Sequence, residues 1–153
     1  MPENATSFYR ELKTKTPFRV IFDALFKKEA VKYISGRVLD LGAGSSPYRS
    51  SLKNVSEFFS LDSNLNKRPI VYADAHFIPF VGHAFDTVLC TFLLEYVNDP
   101  RLVIKEIQRI LKHNGIFVIG TNFLYRYRFN THDLWRFTHE GLTSISIQDS
   151  GIC

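Results

Sequence analysis

The chain has 153 residues, 45% of them hydrophobic and 22% charged, a length and composition that suit one domain with one core. Nineteen basic against fifteen acidic residues leave a formal charge of +4; residues 1–37 hold all of it, with eight basic and four acidic side chains, while residues 38–153 balance at eleven of each. A neutral body behind a mildly basic arm speaks against a dedicated nucleic-acid binder, Cys90 and Cys153 define neither a disulfide framework nor a thiolate metal site, and no apolar run reaches the roughly 18 residues of a membrane span.

The first residues, Met1-Pro2-Glu3-Asn4, lack the charged and apolar blocks of a signal peptide, so a soluble, cytoplasmic protein in a reducing compartment is expected. The histidines show no metal-ligand spacing: His76 and His83, like His132 and His139, stand seven apart without a carboxylate at the required offset, and no metal is expected.

Residues 1–36 are expected to form an amino-terminal helical lid ahead of a domain over residues 37–153. Phe18, Ile21, Phe22, Leu25 and Phe26 recur at helical spacing, and Ala30, Val31 and Ile34 continue the face to Gly36. From Arg37 the pattern becomes short apolar runs closed by Asp or Gly: Val38–Leu41, Phe58–Asp62, Ile70–Asp74, Phe85–Cys90 and Ile116–Gly120. Such runs suit buried parallel strands. Leu102, Val103, Ile107, Ile110 and Leu111 follow helical spacing between Asp99-Pro100, a cap and first-turn pair, and the Asn114-Gly115 stop. With a weaker helix near Pro47–Asn54 and another over Thr138–Ser150, the alternation predicts an α/β class, an open parallel sheet with helices on both faces.

In such a sheet a ligand binds beyond the carboxyl ends of the strands. The first strand runs there into Asp40-Leu41-Gly42-Ala43-Gly44-Ser45-Ser46-Pro47, where Gly42 and Gly44 permit a sharp turn and a close approach to the backbone. An ordinary tight strand-to-helix turn has the same two glycines. Asp62, followed by Ser63, ends the second run about 20 residues on, where a carboxylate accepts hydrogen bonds from ribose hydroxyls. Asp74, followed by Ala75, ends the third, where an acceptor meets an adenine amine. Each Asp alone also reads as a turn cap. A dinucleotide fingerprint needs a third glycine where Pro47 stands, and no Gly-Lys-Ser/Thr follows the turn. A nucleoside cofactor without pyrophosphate remains, and S-adenosyl-L-methionine satisfies that condition.

Val38-Leu39-Asp40-Leu41-Gly42-Ala43-Gly44, Leu61-Asp62, Ala73-Asp74-Ala75 with Ile78-Pro79-Phe80, Phe85-Asp86-Thr87-Val88 leading to Leu94-Glu95-Tyr96-Val97, and Ile110 to Ile116 together resemble, in order, the class I S-adenosylmethionine-dependent methyltransferases over residues 36–122. The resemblance implies a Rossmann-like sheet of order 3-2-1-4-5. It also implies that Asp40, Gly42, Ala43 and Gly44 hold the methionine part, Asp62 and Ser63 the ribose, Asp74 and Ala75 the adenine, and that Thr91 and Phe92 form the floor under the methyl group. The family often has His where Tyr96 stands and Pro-Gly near His113-Asn114-Gly115. Its sheet ends with two further strands that this sequence lacks, so a shortened protein is expected, or a homo-oligomer covering the fifth-strand edge.

Methyl transfer is an in-line displacement that needs alignment and exclusion of water, with a general base for some oxygen or nitrogen acceptors. His76, Glu95, Tyr96, His132 and Asp133 are the candidate bases. Residues 122–137 are dense in aromatics and arginines and follow the fifth strand where substrate loops lie. Within them, His132 to Leu142 resembles a segment of methyltransferases of surface-glycan and lipid-linked saccharide synthesis, which implies a saccharide or lipid acceptor. The expected activity is methyl transfer to an oxygen or nitrogen of a small molecule; the alternatives are a cofactor-binding scaffold without turnover and an RNA methyltransferase.

Overall fold

The computed structural model describes residues 16–129 and 131–147. The chain divides into two units, residues 1–34 and residues 35–153. In the first, helix α1 (Pro17–Lys28) opens where the Thr16 hydroxyl accepts from Arg19 N–H at 3.4 Å with Pro17 in the first turn, an arrangement that satisfies one orphan donor and uses a residue lacking another. Arg19 Nε pairs with Asp23 at 2.8 Å one turn on, and Phe18, Phe22 and Phe26 stack in sequence, with centroids 6.3 and 6.0 Å apart. The buried residues of α1 are Val20, Asp23 and Phe26, while Ile21 and Leu25 are each 56% exposed, so the buried stripe is rotated from the one the sequence suggests. A 3₁₀ turn over Ala30–Tyr33 follows, and Ser35 and Gly36, expected as the end of the helix, are already strand. Residues 1–15, the rest of the expected lid, lie outside the described residues.

The second unit holds a five-stranded parallel sheet of order β3-β2-β1-β4-β5, formed by β1 (Ser35–Leu41), β2 (Asn54–Asp62), β3 (Val71–Tyr72), β4 (Phe85–Thr91) and β5 (Leu111–Gly120). The central strands are rich in apolar residues buried on both faces: Val38, Leu39, Leu41, Val88, Leu89 and Cys90 are all 0% exposed. Each such Leu or Val contributes about 1.5–3 kcal/mol relative to an exposed one.

Helix α2 (Pro100–Ile110) buries Val103, Ile104, Ile107 and Ile110 at the three-and-four spacing of a single face. Asp99 caps it, Oδ1 accepting from Arg101 N–H at 2.9 Å and Leu102 N–H at 3.2 Å. Helix α3 (His139–Ile147) is joined to it through Gln108 Nε2, which donates to the Ser146 carbonyl at 3.0 Å. Phe80 packs edge-on to Phe59 and Phe85, at 5.4 and 4.9 Å between centroids.

Three expectations change. The crossover from β1 to β2 contains only a 3₁₀ turn, Arg49–Ser51, in place of a helix near Pro47–Asn54. The second helix ends at Ile110, because Leu111 is extended and pairs with Phe85; the next pair in register is Thr87 with Ile116, so Asn114-Gly115 turns inside a bulge, with Asn114 at φ 60°. The third run contributes only Val71 and Tyr72 to the sheet. Of Thr138–Ser150, residues 139–147 are helical and residues 148–150 lie outside the described ones. Among the described residues no helix is long and apolar enough to cross a membrane.

Candidate functional site

Parallel pairing places the ends of β1, β2 and β3 on one edge of the sheet, with Asp40 opposite Ser60 and Asp62 opposite Tyr72; Asp74 follows two residues past β3. The loop after β1 turns on two left-handed glycines, Gly42 at φ 68° and Gly44 at φ 54°. Their surroundings differ. A Cβ on Gly42 would lie 2.8 Å from Leu93 Cδ1, whereas one on Gly44 would meet no atom within 4 Å. Gly42 therefore serves packing, while Gly44 borders open space. The N–H groups of Gly42 and Ala43 both donate to the Leu61 carbonyl, at 2.8 and 3.1 Å, which fixes the loop to the end of β2.

Asp62 completes that attachment. Its Oδ2 accepts from Gly44 N–H and its Oδ1 from Asn64 N–H, each at 2.8 Å. A carboxylate has about four acceptor positions, so two protein donors leave capacity for ligand hydroxyls. Ser63, next in the chain, is exposed. Asp40 is 3% exposed, and burial pushes its carboxyl up to about 6 against the pull of a Ser46 hydroxyl hydrogen bond, with the charge of Asp62 adding to the rise. The ionised form of this buried acid is thus costly, a cost that a cation brought beside it would reduce.

Asp74 Oδ1 accepts from His76 N–H at 2.9 Å and meets His76 Nδ1 at 2.6 Å, contacts that hold its carboxyl below the usual range. His76 Nε2 accepts from Asp99 N–H at 3.2 Å, so this ring carries its proton on Nδ1 and ties the post-β3 loop to the cap of α2. Ala75 is buried. The same loop is clamped further along, where Ile78 N–H donates to Glu106 Oε2 at 2.8 Å and Arg109 donates to the carbonyls of Ile78 and Phe80 at 2.9 and 2.7 Å. Thr91 ends β4, and Phe92, at φ 57°, donates its N–H to the Gly120 carbonyl at 2.6 Å.

Glu95 lies wholly buried in the 3₁₀ turn Leu94–Tyr96. Its Oε1 accepts from Asn122 N–H, its carbonyl from the N–H groups of Leu134 and Trp135 at 2.8 and 3.2 Å, and among the described residues its Oε2 has no partner. Burial raises its pKa. Asp133, with a side chain 1% exposed, is gripped by Arg136 and accepts Arg128 N–H at 2.9 Å; the guanidinium holds it down to about 2. The Arg128 guanidinium lies 5.7 Å from the Tyr96 ring centroid and 4.8 Å from that of Tyr125, and burial raises the Tyr96 phenol. His132 is exposed.

The structure thus brings Gly44 and Asp62 into direct contact and separates the candidate bases into two groups, His76 beside Asp74 and the remainder around residues 122–137. Sequence reading missed the Asn122 bond to Glu95 and the Arg136 grip on Asp133. The first spans 27 positions and leaves no local signal; the second is an i,i+3 acid–base pair in an irregular segment.

Comparison with known proteins accords with this geometry. A family model described as a methyltransferase domain matches residues 39–119. The human mitochondrial arginine-hydroxylase NDUFAF5 is 31% identical over a match spanning 83% of this chain and 46% of its own length. The demethylmenaquinone methyltransferase of Thermotoga maritima is 30% identical, over 63% of this chain and 50% of its own. The chain spans half or less of these curated relatives. A methyltransferase from Haloferax volcanii, solved in complex with the Trm112 activator, superposes with a TM-score of 0.69 at 24% identity, over 81% of this chain and 67% of that one. With the family model covering more than half of the chain, and the sheet in the order 3-2-1-4-5, the chain belongs to the class I S-adenosylmethionine-dependent methyltransferases, whose cofactor is S-adenosyl-L-methionine.

Proposed function

We propose that this chain binds S-adenosylmethionine at the carboxyl edge of β1, β2 and β3 and transfers its methyl group to an oxygen or nitrogen of a small acceptor, with a saccharide or an amphiphilic lipid-linked saccharide favoured. The observation that carries the reading is the Gly44–Asp62 contact: a backbone loop held open on one side and anchored on the other by a carboxylate with acceptor capacity to spare. The donor set fits the cofactor, because Asp40 is a buried acid whose raised pKa marks the place for a cation, and the methionine ammonium and the sulfonium are both cations. Once bound, the cofactor supplies an activated methyl group.

In this reading Asp40, Gly42, Ala43 and Gly44 border the methionine end, Asp62 and Ser63 the ribose, Asp74 and Ala75 the adenine, and Thr91 and Phe92 the reacting edge. The His76 bond to Asp99 and the Arg109 clamp hold the adenine loop in one conformation, so positioning is prepaid in the fold. Glu95 through Oε1, Asp133, and both ring nitrogens of His76 are engaged with Asn122, Arg136, and Asp74 and Asp99, which leaves His132 and Tyr96 as the proton-handling candidates for an acceptor that needs one. Arg126 and Arg128 with the neighbouring rings suit an acceptor that joins an anionic group to a flat or apolar surface.

A second reading rests on the 31% identity to an arginine-hydroxylase: the adenosyl fold serves binding, and methyl transfer is absent. Calorimetry with S-adenosylmethionine on the wild type and Asp62→Ala tests the site, with a loss of about 1–3 kcal/mol in binding expected from the lost charge-assisted hydrogen bonds. Equal affinity removes Asp62 from the site. Binding without release of S-adenosylhomocysteine on any acceptor favours the second reading.

A further inference from the structure

The segment from Phe123 to Phe129 leaves its large apolar side chains outside. Phe123 is 56% exposed, Leu124 80%, Tyr127 57% and Phe129 87%. Tyr127 and Phe129 pack edge to face at 5.1 Å, so the rings form a cluster, and a cluster of this kind on a loop is a contact surface rather than a scatter of ordinary exposed side chains. Within the segment itself the charge has one sign. Arg126 and Arg128 are both exposed between the rings, and the nearest acid of the segment, Asp133, is occupied by Arg136 and by Arg128 N–H.

We propose that this segment docks on an anionic lipid surface, with Leu124, Tyr127 and Phe129 entering the headgroup region and Arg126 and Arg128 meeting lipid phosphates. Apolar and aromatic side chains alternating with arginine match the interface between headgroup and acyl chain, where rings and guanidinium groups are both favourably placed. Leu124, the most exposed aliphatic side chain of the cluster, gains from an acyl environment and nothing from nucleobase stacking. The protein body is neutral from residue 38 onward, so it supplies no basic track for a nucleic acid. Among the described residues no helix crosses a membrane, and the contact is therefore with its surface. The proposal does not require methyl transfer, although it gives to lipid phosphates the same Arg126 and Arg128 that an anionic acceptor group would meet, and vesicle binding with and without the acceptor site filled tells the two apart.

The chain carries a single tryptophan, Trp135, six residues past the segment, which is 41% exposed with its indole N–H donating to the Val97 carbonyl at 2.9 Å. Its fluorescence reports docking directly. The full chain is mixed with vesicles of phosphatidylcholine alone or of phosphatidylcholine with phosphatidylglycerol, and co-sedimentation and the Trp135 emission maximum are followed. Expected are binding and a blue shift on the anionic vesicles, little of either on the neutral ones, and about tenfold or greater weakening by Leu124→Ser with Phe129→Ser. Both side chains are too exposed to support the fold, and unchanged S-adenosylmethionine binding serves as the control. Arg126→Glu should abolish the preference for anionic vesicles. Absence of vesicle binding, binding indifferent to the double variant, self-association without vesicles that the double variant abolishes, or a salt-dependent shift with single-stranded RNA in place of vesicle binding each overturns the proposal.

Discussion

Asp40→Asn isolates the electrostatic tension at the end of β1. The unfolded chain releases the Asp40 proton near its ordinary value of 3.8 and the folded chain near 6, so between those values the folded state binds more protons and stability falls as pH rises. A difference of about two pKa units at about 1.4 kcal/mol each corresponds to about 3 kcal/mol, fully lost by about pH 8 and about half lost at pH 5. Asparagine has nearly the same shape, still offers Ser46 an acceptor, and cannot ionise. The variant without cofactor should therefore be more stable than wild type, by about 3 kcal/mol near pH 8 and by about 1.5 kcal/mol near pH 5. Urea denaturation at the two pH values measures both gaps. Cofactor affinity should move the other way: wild-type binding of the cationic cofactor weakens up to about tenfold per pH unit below about 6, as Asp40 holds its proton, and the variant binds weakly at every pH. A stability gap that is the same at both pH values, or an affinity for S-adenosylmethionine unchanged by the substitution, refutes the reasoning.

Substitution of the two loop glycines should separate packing from binding. Gly42→Ala forces a Cβ against Leu93 in addition to the left-handed strain, and thermal melts should show a loss of about 2–4 kcal/mol; Gly44→Ala carries the strain alone, about 1–2 kcal/mol, and calorimetry should show a larger effect on cofactor affinity than on stability. Glu95→Gln keeps an acceptor for the buried Asn122 N–H and should fold with wild-type stability or slightly better near neutral pH, since the raised Glu95 pKa makes its ionised form costly. Glu95→Ala strands that N–H and should lose about 1–3 kcal/mol in urea titrations. A Gln variant as damaged as the Ala variant would show that the carboxylate charge, and not the hydrogen bond, holds residues 122–135 in place.

The strands are legible because a parallel sheet covered on both faces needs predominantly apolar runs, and Val38–Leu41 and Phe85–Cys90 are such runs, broken only by Asp40 in the first and by Asp86 and Thr87 in the second. The cap of α2 was legible for a local reason as well: Asp99-Pro100 satisfies the first-turn donors within three residues. In the first crossover the strand–helix alternation predicts a helix near Pro47–Asn54, whereas Ser46 sits at φ 47° and the chain makes only a 3₁₀ turn at Arg49–Ser51. The stop of α2 was placed too late because Asn114-Gly115 is a true turn, but one that interrupts β5 after pairing has begun at Leu111. The aspartates at the strand ends followed from topology. What ties them down did not, since Gly44 with Asp62, Glu95 with Asn122, and His76 with Asp99 join positions 18 to 27 residues apart.

Asp86 lies at the opposite edge of the sheet, where its Oδ2 accepts from Arg37 N–H on β1 and its Oδ1 from Lys112 Nζ in the β5 bulge, both at 2.8 Å, and where a Cβ on Gly36 would lie only 2.5 Å from it. One carboxylate thus rivets three neighbouring strands at their feet. With the strands pinned at their feet by Asp86, their register does not rest on the loops at the other end, which carry their own ties at Asp62, Asp99 and Arg109.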